Sequence, residues 1–235
     1  MTIKVSVIGA TGRMGKLAIE LVNAASDLEL HSSVDSKTSL DQANGADVIF
    51  EATKLEVSKQ VVDFAITNTI NLVVATSGWT KEQLAELQPT NSSVVVVPNF
   101  SVGSVLASRF AAEAAKYFST VEIIETHHAG KLDSPSGTAI RTAEMIQASR
   151  TDSTEIQGIG QKARGEIVAG VPIHSLRIDG VSAKQDVILG GNQETLVISH
   201  QANSVQAYAS GILASIRFAS TAKGLVVGLD KVLGI

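Results

Sequence analysis

The feature that most constrains the fold is a strand pattern that runs directly into a glycine turn and then into a helix. Residues 3–8 are rich in β-branched side chains, which is typical of a strand buried on both faces of a parallel sheet. Gly9, Gly12 and Gly15 follow at three-residue spacing, and apolar residues then recur at helical spacing through Ala25. This order of strand, turn and helix is typical of the start of a dinucleotide-binding unit.

An acidic residue lies where such a unit would bond the ribose of its nucleotide. A second strand pattern over 28–34 ends at Asp35, twenty residues beyond Gly15. A carboxylate there bonds the 2′-hydroxyl of NADH and repels the 2′-phosphate of NADPH, whereas Lys37 could offset that repulsion. A glycine turn also occurs as a plain βα corner, but this context favours nucleotide binding, with NADH, NADPH or both as the cofactor.

Strand and helix patterns alternate through the rest of the N-terminal half. The predicted strands are 47–51, 72–75 and 94–97, and the predicted helices are 56–67 and 81–87. Such alternation indicates an α/β fold with a Rossmann-like, doubly wound parallel sheet. Functional residues in these sheets lie in the loops that follow the carboxyl ends of the strands. Here those loops are 9–15, 35–37, 52–55, 75–79 and 98–101.

The pattern changes after residue 101. Helices are predicted over 105–118 and 138–148, on either side of a strand over 121–126, and a polar loop follows over 150–161. Three further strands come without helices between them, which indicates an open mixed sheet and a smaller α+β domain. They are predicted at 173–178, 185–189 and 195–201.

A helix over 207–222 should pack back on the first domain, and residues 224–235 are expected to be an apolar tail. We therefore predict a dinucleotide-binding domain of residues 1–101 and 207–235. The substrate-binding domain would be residues 102–206.

Composition excludes several classes of function. The net charge of −4 gives no basic surface for nucleic acid, and no apolar run approaches the ~20 residues of a membrane span. Residues 1–5 enter a strand pattern without the regions of a signal peptide, so a cytoplasmic protein is expected. The absence of cysteine excludes a disulfide, a thiolate zinc site and a cysteine nucleophile.

The stretch 125–139 concentrates titratable side chains in the second domain. His127 and His128 are adjacent, and Lys131 follows the first of them by four residues. The histidines could be exposed loop residues, but a histidine proton is available near neutral pH and Lys131 adds a fixed cation suited to an anionic substrate. Neighbouring side chains of an extended segment point opposite ways and no cysteine is present, so we expect no metal.

The helix that begins after this stretch has two compatible interpretations. Ser136, Gly137 and Thr138 could seat a carboxylate on the unpaired N–H groups of the first turn, or could simply cap the helix. Trp79 and Phe100 lie in loops at the carboxyl edge of the first sheet, where either could contact a nicotinamide ring or line an interface. The three remaining histidines are expected to be packing or sheet-face residues, and they are His31, His174 and His200.

These motifs together resemble those of the dihydrodipicolinate reductase family. The run Glu-x-His-His-x-x-Lys-x-Asp-x-Pro-Ser-Gly-Thr-Ala at 125–139 is similar to the family signature in every specified position. Residues 7–15 and 98–103 resemble the glycine turn and the linker of the family, and Arg164-Gly165 and residues 173–177 resemble its second-domain strands. The similarity covers essentially the whole chain.

The resemblance implies reduction of 4-hydroxy-tetrahydrodipicolinate by NADH or NADPH in diaminopimelate and lysine biosynthesis. C4 of the cyclic imine would receive the hydride, His127 would protonate the neighbouring carbon, and Lys131 would be a second proton donor or a stabilising charge. Substrate carboxylates would bind to His128, Lys131, Ser136, Gly137 and Thr138. The cofactor would bind to Gly9, Ala10, Thr11, Gly12, Arg13, Met14, Asp35, Ala75, Thr76, Ser77, Val97, Pro98, Asn99 and Phe100. A homotetramer assembled through the second-domain sheet is also implied.

The chain departs from the family pattern at three places. The segment after Asp35 is short, Glu51-Ala52 replaces an Asp-Phe pair, and Val205 replaces an arginine.

Two other functions would account for the first domain. One is another two-domain amino-acid dehydrogenase of the aspartate or homoserine type, which would not require the histidine–lysine run. The other is a non-catalytic nucleotide sensor, which would have no need of a proton donor.

Overall fold

The structure is a computed structural model that describes residues 2–150 and 160–235, so most of the predicted loop 150–161 lies outside the described residues. It divides into two compact units, Met1–Val102 with Val205–Ile235, and Gly103–Ser204. None of the helices formed by the described residues is long and apolar enough to cross a membrane.

The elements of the first unit are numbered in chain order. Its strands are β1 (Ile3–Ile8), β2 (Leu28–Val34), β3 (Val48–Glu51), β4 (Asn71–Val74), β5 (Ser93–Val96) and β11 (Gly224–Val227). Its helices are α1 (Arg13–Ala24), α2 (Leu55–Thr67), α3 (Lys81–Ala85), α6 (Ala209–Ala219) and α7 (Leu229–Leu233), with a short 3-10 helix at Leu40–Ala43.

All six strands of this unit are parallel and follow the order β11-β5-β4-β3-β1-β2. Helix α2 packs its buried Val61, Val62 and Ala65 against one face of the sheet. Helices α1 and α6 pack against each other and against the sheet. Because β1 lies between β2 and β3, the chain reverses its winding direction at β1, and such switch points are where α/β sheets bind ligands.

The second unit is built around a mixed five-stranded sheet. Its strands are β6 (Thr120–His127), β7 (Glu166–Val168), β8 (Val171–Arg177), β9 (Ala183–Gly191) and β10 (Glu194–Ala202), and its helices are α4 (Val102–Ala114) and α5 (Gly137–Ser149). The order is β10-β9-β6-β8-β7, in which β6 and β8 are parallel and the other pairs are antiparallel.

One face of the second sheet is covered by α4 and α5. Val121 and Ile123 of β6, Ile173 of β8 and Val187 of β9 form a core with Ile146 of α5. Successive strand residues point to opposite faces, so Glu122, Ile124, His174 and Val197 share the other face, which is more exposed. The predicted fold class, a Rossmann-like parallel sheet with a second mixed-sheet unit, is confirmed.

Several predicted elements differ from the structure. The expected apolar tail 224–235 is wrong, because Gly224–Val227 is the edge strand β11 beside β5 and α7 follows it. Helix α6, predicted over 207–222, begins at Ala209 after a 3-10 turn at Val205–Tyr208, and it packs on the first sheet as predicted. Helix α4 runs from Val102 to Ala114 rather than over 105–118, and β7 was not predicted.

Candidate active site

The glycine turn after β1 is packed so closely that two of its glycines cannot be replaced without a shift. Gly9 has a φ of +86°, and a Cβ there would lie 2.3 Å from the carbonyl oxygen of Ala52. A Cβ at Gly15 would lie 2.2 Å from the carbonyl oxygen of Gly9. Both distances are far below van der Waals contact, so glycine lets the turn, α1 and the β3 loop approach one another.

The start of α1 is suited to an anion. Gly12 is the N-cap and has no side chain with which to cap the helix, and the first turn contains no acidic residue. Thr11, Gly12 and Arg13 are exposed, whereas Ala10 and Met14 are partly buried. Because the N–H groups of a first helical turn carry partial positive charge, this turn fits the pyrophosphate of a dinucleotide.

Asp35 follows β2 at the same edge of the sheet. Its Oδ1 atom accepts a hydrogen bond of 2.8 Å from the backbone N–H of Lys37, and the Thr38 hydroxyl also donates to it at 3.3 Å. The Asp35 side chain is therefore held in a tight turn and is only partly buried, while the Lys37 side chain is exposed.

A buried carboxylate joins the loops after β3 and β4. Glu51 is fully buried and accepts hydrogen bonds from the backbone N–H of Thr53 at 2.6 Å, from the Ser58 hydroxyl at 2.7 Å and from the Thr76 hydroxyl at 2.7 Å. The indole N–H of Trp79 donates to Ser58 at 3.2 Å. The Trp79 ring packs against the core of the unit, so this tryptophan stabilises the loop after β4.

The remaining predicted cofactor positions lie in two loops at this edge. Ala75 donates its N–H to Glu51 O at 2.8 Å, and Val97 donates to Val74 O at 2.9 Å. The Phe100 ring is buried against Phe50 with a centroid separation of 5.7 Å, so Phe100 could meet a ligand only through its backbone. Ser77 and Pro98 are exposed, and Asn99 accepts a 2.9 Å hydrogen bond from the N–H of Ser101.

In the second unit, β6 places His127 at its carboxyl end, beside a fully buried glutamate. The register of β6 and β8 pairs His127 with Arg177, and alternation puts Glu125 on the same side of the sheet. Glu125 Oε2 bonds His127 Nδ1 at 2.6 Å, and the Arg177 guanidinium donates to both carboxylate oxygens at 3.0 and 2.9 Å. The backbone N–H of Ser136 also donates to Glu125, at 3.2 Å.

Charges and burial shift the titration of both acid–base groups. Burial raises the pKa of Glu125, but hydrogen bonds led by that of Arg177 outweigh it and hold the pKa below the ordinary glutamate value. Burial lowers the pKa of His127, the Glu125 carboxylate opposes this, and the charges of Lys131 and Arg177 lower it further. The net pKa of His127 lies below the ordinary value of histidine.

Lys131 and His128 lie on the loop that follows β6. The Lys131 ammonium donates to both carboxylate oxygens of Asp133 at 2.6 and 2.7 Å, and it lowers the pKa of Asp133. His128 is exposed, and its carbonyl accepts the Lys131 N–H at 3.1 Å, which closes a turn. The positive charge of Lys131 is therefore paired with a carboxylate of its own loop.

The start of α5 is capped as the sequence indicated. The Ser136 hydroxyl accepts a hydrogen bond of 3.2 Å from the Ala139 N–H, and Ser136 is buried. Gly137 is exposed, and no described atom beyond its chain neighbours and its own helix backbone lies within 4 Å of the position that a Cβ would take there. Thr138 is partly buried. The open part of this helix start is therefore at Gly137.

Comparison with known proteins places the chain in a family. The family model described as "Dihydrodipicolinate reductase, N-terminus" matches residues 3–100, and that described as "Dihydrodipicolinate reductase, C-terminus" matches residues 103–233. The chain belongs to the dihydrodipicolinate reductase family. The resemblance drawn from the sequence motifs is thereby confirmed.

Individual relatives of the family match over the full length of the chain. It is 48% identical to the 4-hydroxy-tetrahydrodipicolinate reductase of Clavibacter michiganensis, covering 100% of this chain and 87% of that protein. It is 39% identical to the enzyme of that name from Streptomyces griseus, covering 99% and 98%. The solved structure of a dipicolinate-bound dihydrodipicolinate reductase from a Paenisporosarcina species superimposes with a TM-score of 0.84 at 32% identity, covering 98% and 99%.

Two residues of the site were not among those predicted from the sequence. Glu125 belongs to the family signature and Arg177 to a second-domain strand, but the sequence motifs assign a role to neither. Glu125 could have been found, because it alternates with the apolar Val121 and Ile123 and so had to point into the core. Arg177 could not, because it lies 52 residues away in sequence and only the sheet register brings the two together.

The histidines outside the candidate site take ordinary roles. His31 contacts the carbonyl of Asn44 at 2.9 Å, and His174 contacts Glu122 on the open face of the second sheet at 2.7 Å. Burial lowers the pKa of His200 on β10. Over residues 2–150 and 160–235, no group of three or more histidine or acidic side chains is placed to hold a metal ion.

Proposed function

We propose that this protein reduces 4-hydroxy-tetrahydrodipicolinate with NADH or NADPH, the step of diaminopimelate and lysine biosynthesis that its relatives are named for. The observation that carries the proposal is the arrangement of His127. A partly buried histidine is held through one ring nitrogen by a buried carboxylate, with Lys131 on the loop that follows it. That arrangement suits proton transfer to an anionic substrate.

The first unit supplies the binding site of the cofactor in this proposal. The close-packed turn at Gly9 to Met14 would hold the pyrophosphate, and Asp35 would bond the adenosine ribose. The nicotinamide half would lie along the loops at 75–77 and 97–100. The C4 hydroxyl of 4-hydroxy-tetrahydrodipicolinate would first leave as water, together with a proton from the neighbouring carbon. When bound, NADH or NADPH supplies the hydride that C4 of the resulting unsaturated imine accepts.

The second unit supplies the proton and the binding charges. His127 would donate a proton from Nε2 to the carbon beside C4, and Lys131 would stabilise the developing negative charge or donate a second proton. The exposed His128 and the helix start at Gly137 and Thr138, capped by Ser136, would bind the two carboxylates. Lys131 would exchange the Asp133 carboxylate for one from the substrate. The Asp133 side chain is largely exposed, so its carboxylate would then be solvated by water.

Assembly and domain roles belong to the same proposal. Residues 1–101 with 207–235 would bind the dinucleotide, and residues 102–206 would bind the substrate and form a homotetramer. The open face of the second sheet supports this assembly, because Leu176 and Val197 expose 43% and 54% of their surface there. A cytoplasmic location follows as part of the proposed biosynthetic role.

The direct test is a spectrophotometric assay. Purified protein should oxidise NADH or NADPH when it is given the freshly prepared condensation product of pyruvate and aspartate semialdehyde. If folded protein consumed neither cofactor, the reductase proposal would be wrong. Binding of nucleotide without turnover would instead support a nucleotide sensor, and turnover of aspartate semialdehyde or homoserine alone would support an amino-acid dehydrogenase.

The role of His127 has its own variant. His127→Gln should lower kcat by about 10²–10⁴-fold, because a positioned general acid contributes that factor. Its dissociation constant for NADH should stay the same, since His127 lies in the second unit. His174→Gln is the matched control, because His174 also contacts a glutamate but lies on the other face of the sheet. An unchanged kcat in His127→Gln would leave His127 as a structural residue.

A further inference from the structure

Hydrogen bonds to Glu125 connect three separate parts of the second unit. Its carboxylate accepts hydrogen bonds from His127 of β6, from Arg177 of β8 and from the backbone N–H of Ser136 before α5. Glu125 is fully buried, so its charge depends on these partners rather than on water. A change in the charge of Glu125 must therefore alter the interaction energy of each group that contacts it.

The contact between Glu125 and His127 decides which ring nitrogen of the histidine is available. An ionised carboxylate can only accept hydrogen bonds, so the 2.6 Å contact requires the hydrogen to be on Nδ1 of His127. In the neutral ring Nε2 is then an acceptor, and it becomes a donor only when the ring takes up a second proton. Nε2 is thus the atom that would exchange a proton with the substrate.

Arg177 extends this control to the loop that carries Lys131. Besides its two bonds to Glu125, the guanidinium donates to the carbonyl of Asp133 at 2.7 Å and to the carbonyl of Lys131 at 3.3 Å. The rigid, planar guanidinium of Arg177 therefore fixes the orientation of the Glu125 carboxylate and the backbone path of the loop that carries Lys131. Lysine at position 177 would keep the charge but could not make this set of contacts.

We propose that Glu125 and Arg177 are positioning residues of the reaction, which together fix Nε2 of His127 as the proton-donating atom and hold Lys131 beside it. This inference rests on the reductase function proposed above. The charged groups that act on His127 are Glu125 on its own strand, Arg177 on β8 and Lys131 on the following loop. Neither Glu125 nor Arg177 needs to touch the substrate in this role.

The pH profile of kcat/KM is the measurement that separates positioning from plain structural support. In the wild type, kcat/KM should fall as the pH rises through the pKa of His127, because the donor must be protonated. Glu125→Gln removes the negative charge that favours the imidazolium, so this falling limb should move to lower pH, and kcat should drop on the order of 10²-fold. The urea midpoint and the circular dichroism of the variant would be measured alongside.

The chain offers a matched control on the same strand. Glu122 also contacts a histidine and an arginine, His174 and Arg164, but it points to the opposite face of the sheet. Glu122→Gln should leave kcat within about twofold and the pH profile in place. Because Glu122 lies on the proposed assembly face, size-exclusion chromatography would check that this variant keeps the oligomeric state of the wild type. A Glu125→Gln enzyme with the wild-type pH profile and kcat would overturn the inference, and so would an equal shift in Glu122→Gln.

A second measurement needs no altered glutamate. Ring-nitrogen NMR of the wild-type protein, with the His127 signals assigned by their loss in His127→Gln, reports the tautomer directly. The hydrogen should be on Nδ1 near neutral pH, and a hydrogen on Nε2 would contradict the inference even if Glu125→Gln failed to fold. Should wild-type protein lack turnover but show the Nδ1 tautomer, the reductase proposal would fail while the positioning geometry stood.

Discussion

Two glutamates on β6 contact the same types of residue but differ strongly in burial. Glu125 and Glu122 each contact one histidine and one arginine, but alternation along the strand sends them to opposite faces of one sheet. The side chain of Glu125 is 0% exposed, and that of Glu122 is 33% exposed. The partners are His127 and Arg177 for Glu125, and His174 and Arg164 for Glu122.

The comparison shows that burial, rather than residue type, gives these contacts their consequences. On the open face, water reaches the charges of the single chain, so an ion pair there contributes little to the stability of that chain. On the covered face, Glu125 cannot be solvated, and losing one partner leaves a charge without compensation. The same three residue types therefore form a surface cluster in one place and a candidate acid–base site in the other.

The largest expected effect tests this difference in stability. Arg177→Met should lower the free energy of unfolding by about 3–5 kcal/mol, because it removes the guanidinium charge that compensates the buried Glu125 carboxylate. Arg164→Met should lower it by about 0–1 kcal/mol, as is usual for exposed pairs. Urea unfolding of both variants at one protein concentration measures the contrast, and equal losses would refute it.

The next effect is the response of stability to acid. The lowered pKa of Glu125 means that its contribution to stability is complete above the pKa of an unfolded glutamate, about 4.3, and is lost as the pH falls through the folded value. The unfolding midpoint of Glu125→Gln should therefore change less than that of the wild type below about pH 4.3. For Glu122, whose pKa is lowered in the same direction, solvent screening should make the change smaller.

A smaller effect should arise from the histidine of the buried cluster. Because burial lowers the pKa of His127, the unfolded chain binds a proton at a higher pH than the folded chain does. Stability is then greatest above an unfolded histidine pKa of about 6.5 and falls as the pH decreases through the folded value. His127→Gln should flatten the dependence of the thermal midpoint on pH between about 7 and 5. A curve parallel to that of the wild type would count against the lowered pKa.

The smallest effect concerns salt. The stability cost of Glu122→Gln should vanish at about 1 M sodium chloride, where the Debye length is about 3 Å and exposed charges are screened. The cost of Glu125→Gln should persist, because no solvent reaches its carboxylate. Urea titrations at low and high salt provide the measurement. Loss of both costs together would mean that the two clusters are equally accessible to ions.

Much of the fold was predictable because its signals are local in the chain. The strand at 3–8, the glycines that follow and the alternation of strands and helices are patterns within short windows, and the six-stranded sheet obeys them. The strand β11 was missed, because Gly224–Val227 is a partly buried edge strand within an apolar segment and becomes a strand through pairing with β5. Its identity depends on a partner that lies far away in the sequence.

The sequence by itself determined the type of the two units, the family and the titratable residues His127 and Lys131. Only the tertiary structure decided what controls them. Arg177 meets Glu125 across a separation of 52 residues, because the register of two strands places them side by side. The low dielectric of the covered sheet face strengthens the contacts of Glu125, which place the proton on the ring of His127. Glu122, three residues earlier on the same strand, faces the more exposed side.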